Sequence, residues 1–550
     1  MCACGSTRNS SSVPRAKSLL SSAAERSWTG RLWLAVALLV CAVGGCQWDV
    51  GGLDIQLVRT ARADKDPLDP EVIGVRRLRV RLEGEGLSPR VVDVDAASAT
   101  ARAFSNLPVG QRVRVTVEGL DGSGYVRSRG ASLPFEVREG ERTLFLYLSL
   151  VGEFSGPPSA TEVSAPGFGQ RFRTALRSGK GRSFHAAAAL PDGLVLLAGG
   201  VAAEETIDPL GRRDAAVALR SAERFDPTAG ALLLDSPWPE CGADERLCLS
   251  ADRVFFGLDR LPGRDTCLAV GGEPIDSEFA AETYEPAEVR FFPARVGLAR
   301  PRSRAGQAAF ADPTHALVVA GGQDAAGMPL DSVEVFDAAQ GQFREVGRLA
   351  EPRVAPAVVA TPEGALVIGG WSEFADWPAL GEPRRVASGR IDRVSFPSGV
   401  PRVEPLGALL HARAEASAVL LPGPGGRVLV CGGLQNALDT LASCELVDPA
   451  TGATEESVNV LVPRYRHTAT VLEDGRVLVA GGFARGGASS ALNSALLLDP
   501  LGGRVAVRLT MIARRAGHTA SLLENGMLLL VGGQGANGQA AVEDYELYNP

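Results

Sequence analysis

From about residue 51 to residue 154 hydrophobic and polar positions alternate with a period of two, and turn residues interrupt the alternation at short intervals. Such alternation predicts strands with one buried face. The clearest segments are GVRRLRVRLEG, SATARAF, RVRVTVEGLDGSG, PFEVREG and RTLFLYLSL, in which DGSG has the composition of a hairpin turn. We expect an antiparallel β-sandwich over residues 47–154, resembling immunoglobulin-like or transthyretin-like modules in architecture only, and a linker rich in small residues over residues 155–168.

A different pattern begins after the linker, where runs of aliphatic residues each end in two glycines. The first glycines of successive pairs are 72, 50, 48, 63, 49 and 51 residues apart, and the pairs lie at 199–200, 271–272, 321–322, 369–370, 432–433, 481–482 and 532–533. A fixed period near fifty residues is typical of a repeat array in which each unit is one small sheet.

A second signature follows most of the glycine pairs. It ends in an acidic or amide residue, usually followed by proline, as in SAERFDP at 221–227, SCELVDP at 443–449 and DYELYNP at 544–550. Each unit therefore predicts a first strand, a tight Asp-Gly or Asn-Gly turn, an aliphatic second strand ending in Gly-Gly, a third strand, and a weaker fourth strand. Asp192, Asp474 and Asn525 are expected in the tight turns.

Four strands at this period, with both signatures, resemble the kelch-type β-propeller, and the resemblance covers residues 169–550. It implies an all-β, seven-bladed propeller. The fourth unit departs most, because its third strand is blurred near RIDRVSFPSG. The tryptophan that usually begins a kelch fourth strand is also absent, and Phe343 is the nearest equivalent. We further expect GQRFRTALRS, at 169–178, to supply the fourth strand of the seventh blade and so close the ring.

Histidine recurs at a fixed place in three of the units. His185, His467 and His518 each stand 14 residues before the first glycine of a pair, and Gln307 stands at that distance in the third unit. A residue repeated in successive blades serves each blade, whereas one active site would need its ligands once. We therefore expect these histidines to hydrogen-bond backbone between blades, and we expect the paired glycines to permit close backbone approach. The glycines of these three units are Gly199, Gly200, Gly481, Gly482, Gly532 and Gly533.

Enzyme and metal signatures are weak in this chain. Kelch-type propellers include copper oxidases that need two histidines and two tyrosines, but only His315 and His411 stand outside the repeat position. Gly533, Gly535 and Gly538 spell G-x-G-x-x-G, yet a strand-like segment follows where a phosphate-binding helix should begin. We expect no catalytic residue, no metal site and no cofactor.

The N-terminal region predicts export. Basic residues precede the apolar run LWLAVALLVCAV at 32–43, which is too short to span a bilayer and is typical of a signal peptide. The following V-G-G-C resembles the lipobox of bacterial lipoproteins, which implies lipidation of Cys46 and a signal peptide over residues 1–46. An ordinary secretory signal is the alternative, and the protein would then be secreted.

Cysteine usage fits an exported protein, in which disulfides form. Cys431 precedes a glycine pair and Cys444 opens the next strand, so antiparallel pairing could place them opposite each other. Cys241 and Cys248 could staple a long connector. Cys267 would then remain as a buried thiol, although buried unpaired thiols are an alternative at every one of these positions.

Charge and loop composition bear on the partner. The formal net charge of −8 is mild and spread along the chain, which disfavours nucleic acid or an anionic lipid surface as a partner. The longest connectors follow the glycine pairs. One of them, at 371–390, contains aromatic residues and arginines that are typical of protein or carbohydrate contacts, namely Trp371, Phe374, Trp377, Arg384 and Arg385. Alternatively, the tryptophans could fold back to cap the fourth blade.

These observations together favour a non-catalytic binding protein at the cell envelope. We expect a lipid anchor in the membrane, a protein or polysaccharide partner, and no transmembrane span in the mature chain. The alternatives are a carbohydrate-active enzyme with a divergent site and a structural spacer.

Overall fold

The computed structural model describes residues 50–60, 66–67, 73–96, 100–158, 172–176, 181–202, 218–234, 241, 247–275, 281–294, 297–310, 315–375, 384–423, 425–460, 462–484, 490–535 and 544–550. These residues form strands and turns, with a 3-10 turn at Pro397–Gly399 and no α-helix. The prediction of an all-β chain is confirmed. Within this part of the chain, no helix is long and apolar enough to cross a membrane.

Two sheets form the N-terminal part, here called the N-terminal sheet pair. Its strands are β1 (Val50–Val58), β2 (Val75–Gly84), β3 (Leu87–Asp95), β4 (Thr100–Pro108), β5 (Arg112–Asp121), β6 (Val126–Ala131), β7 (Phe135–Glu136), β8 (Gly140–Tyr147) and β9 (Ser149–Leu150). One sheet has the order β4-β1-β8, with β1 and β8 parallel, and the other has the order β3-β2-β5-β6-β9, with β7 paired to β5.

Alternation along the strands produces one core between the two sheets. In β5 the valines at 113, 115 and 117 are buried, whereas the residues between them are partly exposed. They pack in one cluster with Leu78 of β2, Ile55 of β1 and Leu146 of β8. Apolar side chains removed from water in this way are the main source of stability for the sheet pair.

Seven further sheets, here numbered sheet 1 to sheet 7 in chain order, come after the N-terminal sheet pair. The second strand of each sheet is followed directly by one of the seven glycine pairs. Sheets 1 to 3 contain β12 (Ala186–Ala189), β13 (Val195–Ala198), β14 (Ala222–Asp226) and β15 (Ala231–Leu233); β16 (Gly257–Arg260), β17 (Cys267–Val270), β18 (Ala281–Glu285) and β19 (Arg290–Pro293); and β20 (Gly306–Ala309), β21 (His315–Ala320), β22 (Ser332–Asp337) and β23 (Gln342–Arg348). Each has antiparallel strands in sequence order.

Sheet 4 differs because a hairpin interrupts it. Its strands are β24 (Ala357–Thr361), β25 (Gly364–Ile368), β28 (Arg390–Ser395) and β29 (Arg402–Ala408), while β26 (Trp371–Ala375) and β27 (Arg384–Ala387) form a separate two-stranded hairpin. The third strand therefore lies in the segment where the sequence pattern was blurred.

The last three sheets follow the same plan. Sheets 5 to 7 contain β30 (Ser417–Leu420), β31 (Val428–Cys431), β32 (Ser443–Val447) and β33 (Thr454–Asn459); β34 (Thr468–Val471), β35 (Val477–Ala480), β36 (Ser494–Asp499) and β37 (Arg504–Thr510); and β38 (Thr519–Leu522), β39 (Leu528–Val531) and β40 (Tyr545–Tyr548).

The fourth strand of sheet 7 comes from the junction between the predicted sandwich and the predicted linker. Strand β10 (Phe154–Ser155) pairs antiparallel with β40, with Phe154 opposite Tyr548. The prediction that residues 169–178 complete this sheet is wrong, because β11 (Phe172–Arg173) pairs with β15 as a fifth strand of sheet 1. Phe154 fits the position in sheet 7 better, since it is buried against Leu478 and Leu530.

Strand direction gives the sheets two sides. The tight turns between first and second strands and between third and fourth strands lie on one side, here called the turn side. The glycine pairs and the connectors to the third strands lie on the other, the Gly-Gly side. The first strand of each sheet contacts the first strand of the next, and β38 of sheet 7 contacts β12 of sheet 1.

The N-terminal sheet pair packs on the turn side of sheets 1 and 7. Tyr147 donates its backbone N–H to the carbonyl oxygen of Thr228 at 2.8 Å, and the amide of Asn525 donates to the carbonyl oxygen of Ala131 at 3.3 Å. Val58 and Tyr147 share a hydrophobic cluster with residues of sheets 1 and 7.

Candidate functional site

A buried arginine lies ahead of the first strand in every one of the seven sheets. In sheet 5, Arg413 donates from Nη1 to the carbonyl oxygens of Gly432 at 2.8 Å and Ser443 at 2.9 Å, and from Nη2 to the buried carboxylate of Glu445. The side chains of Arg413 and Glu445 have no exposed surface. The corresponding arginines are Arg182, Arg253, Arg302, Arg353, Arg413, Arg464 and Arg515.

Six of the seven arginines have a carboxylate partner in the third strand. The partners are Glu223, Glu282, Glu334, Asp392, Glu445 and Glu546. In sheet 6, strand register places Leu496 where Glu445 stands in sheet 5, since Leu496 is opposite Val479 and Glu445 is opposite Val430. Burial lowers the pKa of Arg464 to about 10.

The glycine pairs join neighbouring sheets through the backbone of these arginines. Gly433 donates its N–H to the carbonyl oxygen of Arg464 in the next sheet at 2.8 Å, and Gly482 donates to Arg515 at 2.9 Å. A Cβ atom on Gly432 would lie 2.4 Å from the carbonyl oxygen of Arg464. The glycines also have φ near +60° and +95°, a region that side chains disfavour. This explains why both residues recur.

The repeated histidines also link neighbouring sheets, but through side chains. The Nε2 atom of His518 lies 3.0 Å from Oγ1 of Thr468, that of His467 lies 2.7 Å from Oγ of Ser417, and that of His185 lies 2.8 Å from Oγ1 of Thr519. The expectation of a backbone partner was therefore wrong for Nε2. Each imidazole instead bonds to a hydroxyl at the start of the preceding sheet's first strand.

Gln307 does not occupy the histidine position. Strand pairing aligns Gly306 with Ala186 of sheet 1, so Ala305 takes the place of His185. The counted distance misleads because the first turn of the third unit is longer. Gln307 instead donates from Nε2 to Oδ2 of Asp259 in sheet 2 at 2.5 Å.

Burial keeps the histidines neutral. Desolvation, with a smaller contribution from nearby arginines, lowers the pKa of His518 to about 3 and lowers the pKa values of His185 and His467 well below 6.5. A neutral imidazole can pair with a hydroxyl as donor or acceptor. The shift repeats from sheet to sheet, as a structural contact would.

Two residues from each of the seven sheets line one cavity of about 350 Å³, here called the seven-sheet cavity. In every sheet they are the two residues that precede the first strand, so the cavity opens on the Gly-Gly side. The residues are Phe184, His185, Phe255, Phe256, Arg304, Ala305, Ala355, Pro356, Glu415, Ala416, Arg466, His467, Gly517 and His518. The first member of each pair has φ between 51° and 62°.

Backbone hydrogen bonds connect these left-handed residues around the cavity. Ala355 donates its N–H to Arg304 at 2.8 Å, Arg466 donates to Glu415 at 3.1 Å, and Phe184 donates to Gly517 at 2.9 Å. A left-handed conformation is costly for residues other than glycine unless surrounding contacts impose it. Here the bonds to the neighbouring sheets impose it.

The charged side chains of the cavity are held in internal pairs. Glu415 accepts hydrogen bonds from Arg466 and, at 3.3 Å, from Nε1 of Trp371. Burial alone would raise the pKa of Glu415, but the charge and hydrogen bonds of Arg466, with Arg385 and Arg304 nearby, outweigh burial and lower it. Arg304 donates to Glu273 at 3.2 Å and lies 3.9 Å from the centre of the Phe255 ring.

The structure places two residues of the predicted aromatic loop in the interior. Trp371 has no exposed surface, and Arg385 is 4% exposed with its guanidinium 5.7 Å from the Trp371 ring centre. Neither offers a surface to a partner, and the burial of Trp371 agrees with the alternative in which the tryptophans fold back. The side chains of Phe374 and Arg384 and all of Trp377 lie outside the described residues.

The cysteines form the two disulfides that the sequence analysis proposed. Cys241 is bonded to Cys248, and Cys431 to Cys444, which are directly opposite each other in β31 and β32. Cys267 is a buried thiol, and desolvation raises its pKa to about 12. Cys46 lies outside the described residues. The predicted turn residues Asp192 and Asp474 each accept a hydrogen bond from the backbone two residues later.

The larger groove of the described structure lies elsewhere. It has a volume of about 800 Å³ on the turn side of sheets 3 and 4, and includes Phe310, Phe396, Arg393 and Glu404. The two phenylalanine rings stack at 5.0 Å. Residues of two sheets line this groove, whereas all seven sheets contribute to the seven-sheet cavity. The smaller cavity is therefore the better candidate for a site that belongs to the whole array.

Sequence reasoning found the histidines, glycines and cysteines but missed the buried arginines and the cavity residues. Arginine three residues before each repeated histidine was a usable signal, as in R-S-F-H, R-Y-R-H and R-A-G-H. Cavity residues differ in type from sheet to sheet, so no repeated letter marks them. Across the described residues, no group of three or more His, Cys, Asp or Glu side chains could hold a metal ion. A scan against protein-family models finds no match to the chain, and no curated protein matches it.

Proposed function

We propose that residues 169–550 form a closed seven-bladed propeller of kelch type, completed by β10, behind an N-terminal β-sandwich. The circular order of contacts between first strands supports closure. The hydrogen bond of 2.9 Å from Gly533 in sheet 7 to Arg182 ahead of sheet 1 supports it as well. We propose further that the chain is exported and lipidated at Cys46.

The proposed activity is non-catalytic binding of a protein or polysaccharide at the cell envelope, through the Gly-Gly side. The observation that carries this proposal is the seven-sheet cavity, to which every sheet contributes and whose charged groups are held in ion pairs within the protein. Paired groups such as Glu415 and Arg466 shape a surface, while proton transfer to a substrate would first have to break the pair. Exposed apolar side chains lie on the same side, at Met328 and Leu438.

Capture experiments with matched variants test this proposal. Met328 is 55% exposed and Leu438 is 72% exposed in connectors of the Gly-Gly side, whereas Leu501, 69% exposed, lies in a turn of the turn side. We expect Met328→Arg and Leu438→Arg to lose a partner captured from envelope extract or on a glycan array, and Leu501→Arg to retain it. If all three variants capture the partner as well as the unaltered protein does, the Gly-Gly side is excluded as the binding surface.

The alternatives have their own outcomes. If no partner is captured by the unaltered protein, the spacer hypothesis gains support. If a polysaccharide is cleaved during the assay, the hypothesis of a carbohydrate-active enzyme gains support. Residues 376–383, which include Trp377, can be replaced by a Gly-Ser linker while buried Trp371 and Arg385 are kept, so this segment is tested separately.

A further inference from the structure

The N-terminal sheet pair occupies one particular side of the repeat sheets. Its contacts reach three turns of the turn side. Leu133 donates its N–H to Oγ1 of Thr228 at 2.7 Å in the second turn of sheet 1. A Cβ atom on Gly193, in the first turn of the same sheet, would lie 2.5 Å from the Leu133 side chain. In sheet 7, Asn525 of the first turn donates to Ala131.

These contacts form a continuous interface. The amide of Asn549, after the last strand, donates at 3.0 Å both to the carbonyl oxygen of Arg129 and to Oγ of Ser149. Val58 and Tyr147 are buried in one cluster with Val195, Phe225 and Tyr545 of sheets 1 and 7. An interface with an apolar core and several hydrogen bonds holds two parts in a fixed orientation, unlike a flexible linker.

The proposed lipid anchor at Cys46 would be joined to the N-terminal end of this sheet pair. Strand β1 begins at Val50, four residues after Cys46. Four extended residues span at most about 14 Å, so a bilayer that holds the acyl chains of Cys46 lies close to the start of β1. The seven-sheet cavity opens on the Gly-Gly side, which the four- to six-residue first and second strands separate from the turn side by about 13–20 Å.

We infer that the N-terminal sheet pair acts as a fixed spacer that turns the Gly-Gly side and its cavity away from the anchoring membrane. The partner is then a macromolecule approached from the aqueous phase, and lipid of the anchoring bilayer is excluded. This inference rests on the proposed lipidation and on the proposed use of the Gly-Gly side.

Energy transfer to the bilayer tests the orientation. Full-length lipidated protein is reconstituted in phosphatidylethanolamine–phosphatidylglycerol vesicles whose outer leaflet contains an acceptor dye. The donor dye is attached to an unnatural ketone side chain at position 501 on the turn side or at position 438 on the Gly-Gly side. Both native residues are about 70% exposed, so the two labels are matched. The ketone avoids a new thiol near Cys431 and Cys444.

We expect transfer from position 501 to exceed transfer from position 438 at least about twofold, given a separation of roughly 13–20 Å between the two sides. Equal transfer, or more transfer from position 438, would overturn the inference. Cys46→Ala should abolish flotation with vesicles, and flotation at the level of the unaltered protein would also overturn it.

The partner-capture assay separates this inference from the proposed function. If capture depends on Met328 and Leu438 while position 438 transfers more energy to the bilayer, binding stands and the orientation is wrong. If the orientation is as inferred and capture is unaffected by both variants, the orientation stands and the binding surface is wrong.

Discussion

Gly533 donates its backbone N–H to the carbonyl oxygen of Arg182 at 2.9 Å, although 351 positions separate them in the sequence. The bond has the same geometry as those between Gly433 and Arg464 and between Gly482 and Arg515. The contact between the last and first sheets is thus built like every other contact between neighbours. The preceding residue, Gly532, lies so close to the carbonyl oxygen of Arg182 that any side chain at position 532 would collide with it.

Substitution of Gly532 should be far more damaging than substitution of a glycine with the same backbone and free space. A Cβ atom on Gly532 would lie 2.0 Å from the carbonyl oxygen of Arg182, and φ is +61°. Gly86 has φ of +75° and nothing within 4 Å. We expect Gly86→Ala to cost about 1 kcal/mol and Gly532→Ala at least about 3 kcal/mol. Thermal unfolding compares the two, and equal midpoints would contradict the seam contact.

The segment that completes sheet 7 should be required for a soluble repeat array. A fragment that begins at residue 169 lacks β10 and leaves the edge of β40, with buried Tyr548 and Leu547, without its partner strand. An exposed apolar edge promotes association between chains. We expect this fragment to aggregate, while one that begins at residue 50 stays monomeric in size-exclusion chromatography. A monomeric, folded 169–550 fragment would show that β10 is dispensable.

Removal of a buried arginine should depend on its carboxylate. Arg413→Met leaves Glu445 buried without its guanidinium partner, beside the backbone N–H groups of Leu410 and His411 at 2.7 and 3.0 Å and the Nδ1 atom of His411 at 3.4 Å. Arg464→Met removes a buried charge from sheet 6, where Leu496 stands in place of the carboxylate residue and no buried carboxylate is left behind at that position. Breaking a buried pair typically costs about 3–5 kcal/mol, so we expect Arg413→Met to be at least about 2 kcal/mol more destabilising than Arg464→Met. Denaturant unfolding of both variants measures this difference, and the reverse order would refute it.

The buried histidines should make the fold sensitive to acid. Their folded pKa values lie below the ordinary value of 6.5, and that of His518 is about 3. The unfolded chain therefore binds more protons below pH 6.5. The contribution of the histidines to the free energy of unfolding is fully present above that pH. It decreases as the pH drops toward 3, by up to about 1.4 kcal/mol per pH unit for each histidine.

A single substitution isolates this effect from that of the carboxylates. His518→Gln keeps an amide that can bond to Thr468 but cannot titrate. We expect the difference in stability between the unaltered protein and this variant to shrink by several kcal/mol between pH 7 and pH 4. A difference that is constant with pH would mean that His518 is accessible to protons in the folded state.

Alternation and the glycine pairs predicted many of the strands, because both reflect local chemistry, but they missed β1, β3 and the hairpin of β26 and β27. The valines of β5 alternate with polar residues, and Cys431 and Cys444 follow from antiparallel pairing. The fourth strand of sheet 7 was assigned to the wrong segment because Phe154–Ser155 and Phe172–Arg173 are both short strand-like pieces. Only the tertiary packing of Phe154 against Leu530 distinguishes them.

The site was harder to predict than the fold. The lining residues Phe184, Arg304, Glu415 and Gly517 share a backbone position and a left-handed φ, yet they share no side-chain chemistry. Periodicity detects repeated side chains and is insensitive to a repeated conformation. The sequence left two roles open for Trp371 for a related reason, since an aromatic residue in a long connector can bind a partner or can anchor the connector to the core.

The pairing of Phe154 with Tyr548 brings together residues that are 394 positions apart in the sequence. Loop closure over such a separation comes late in folding, because its entropy must be offset by contacts that have already formed. Six sheets can assemble from neighbouring segments as the chain emerges, but the seventh has to wait until the final strand has been synthesised. Until then the strand at Phe154 has an open edge, and a growing chain would benefit from a chaperone that covers it.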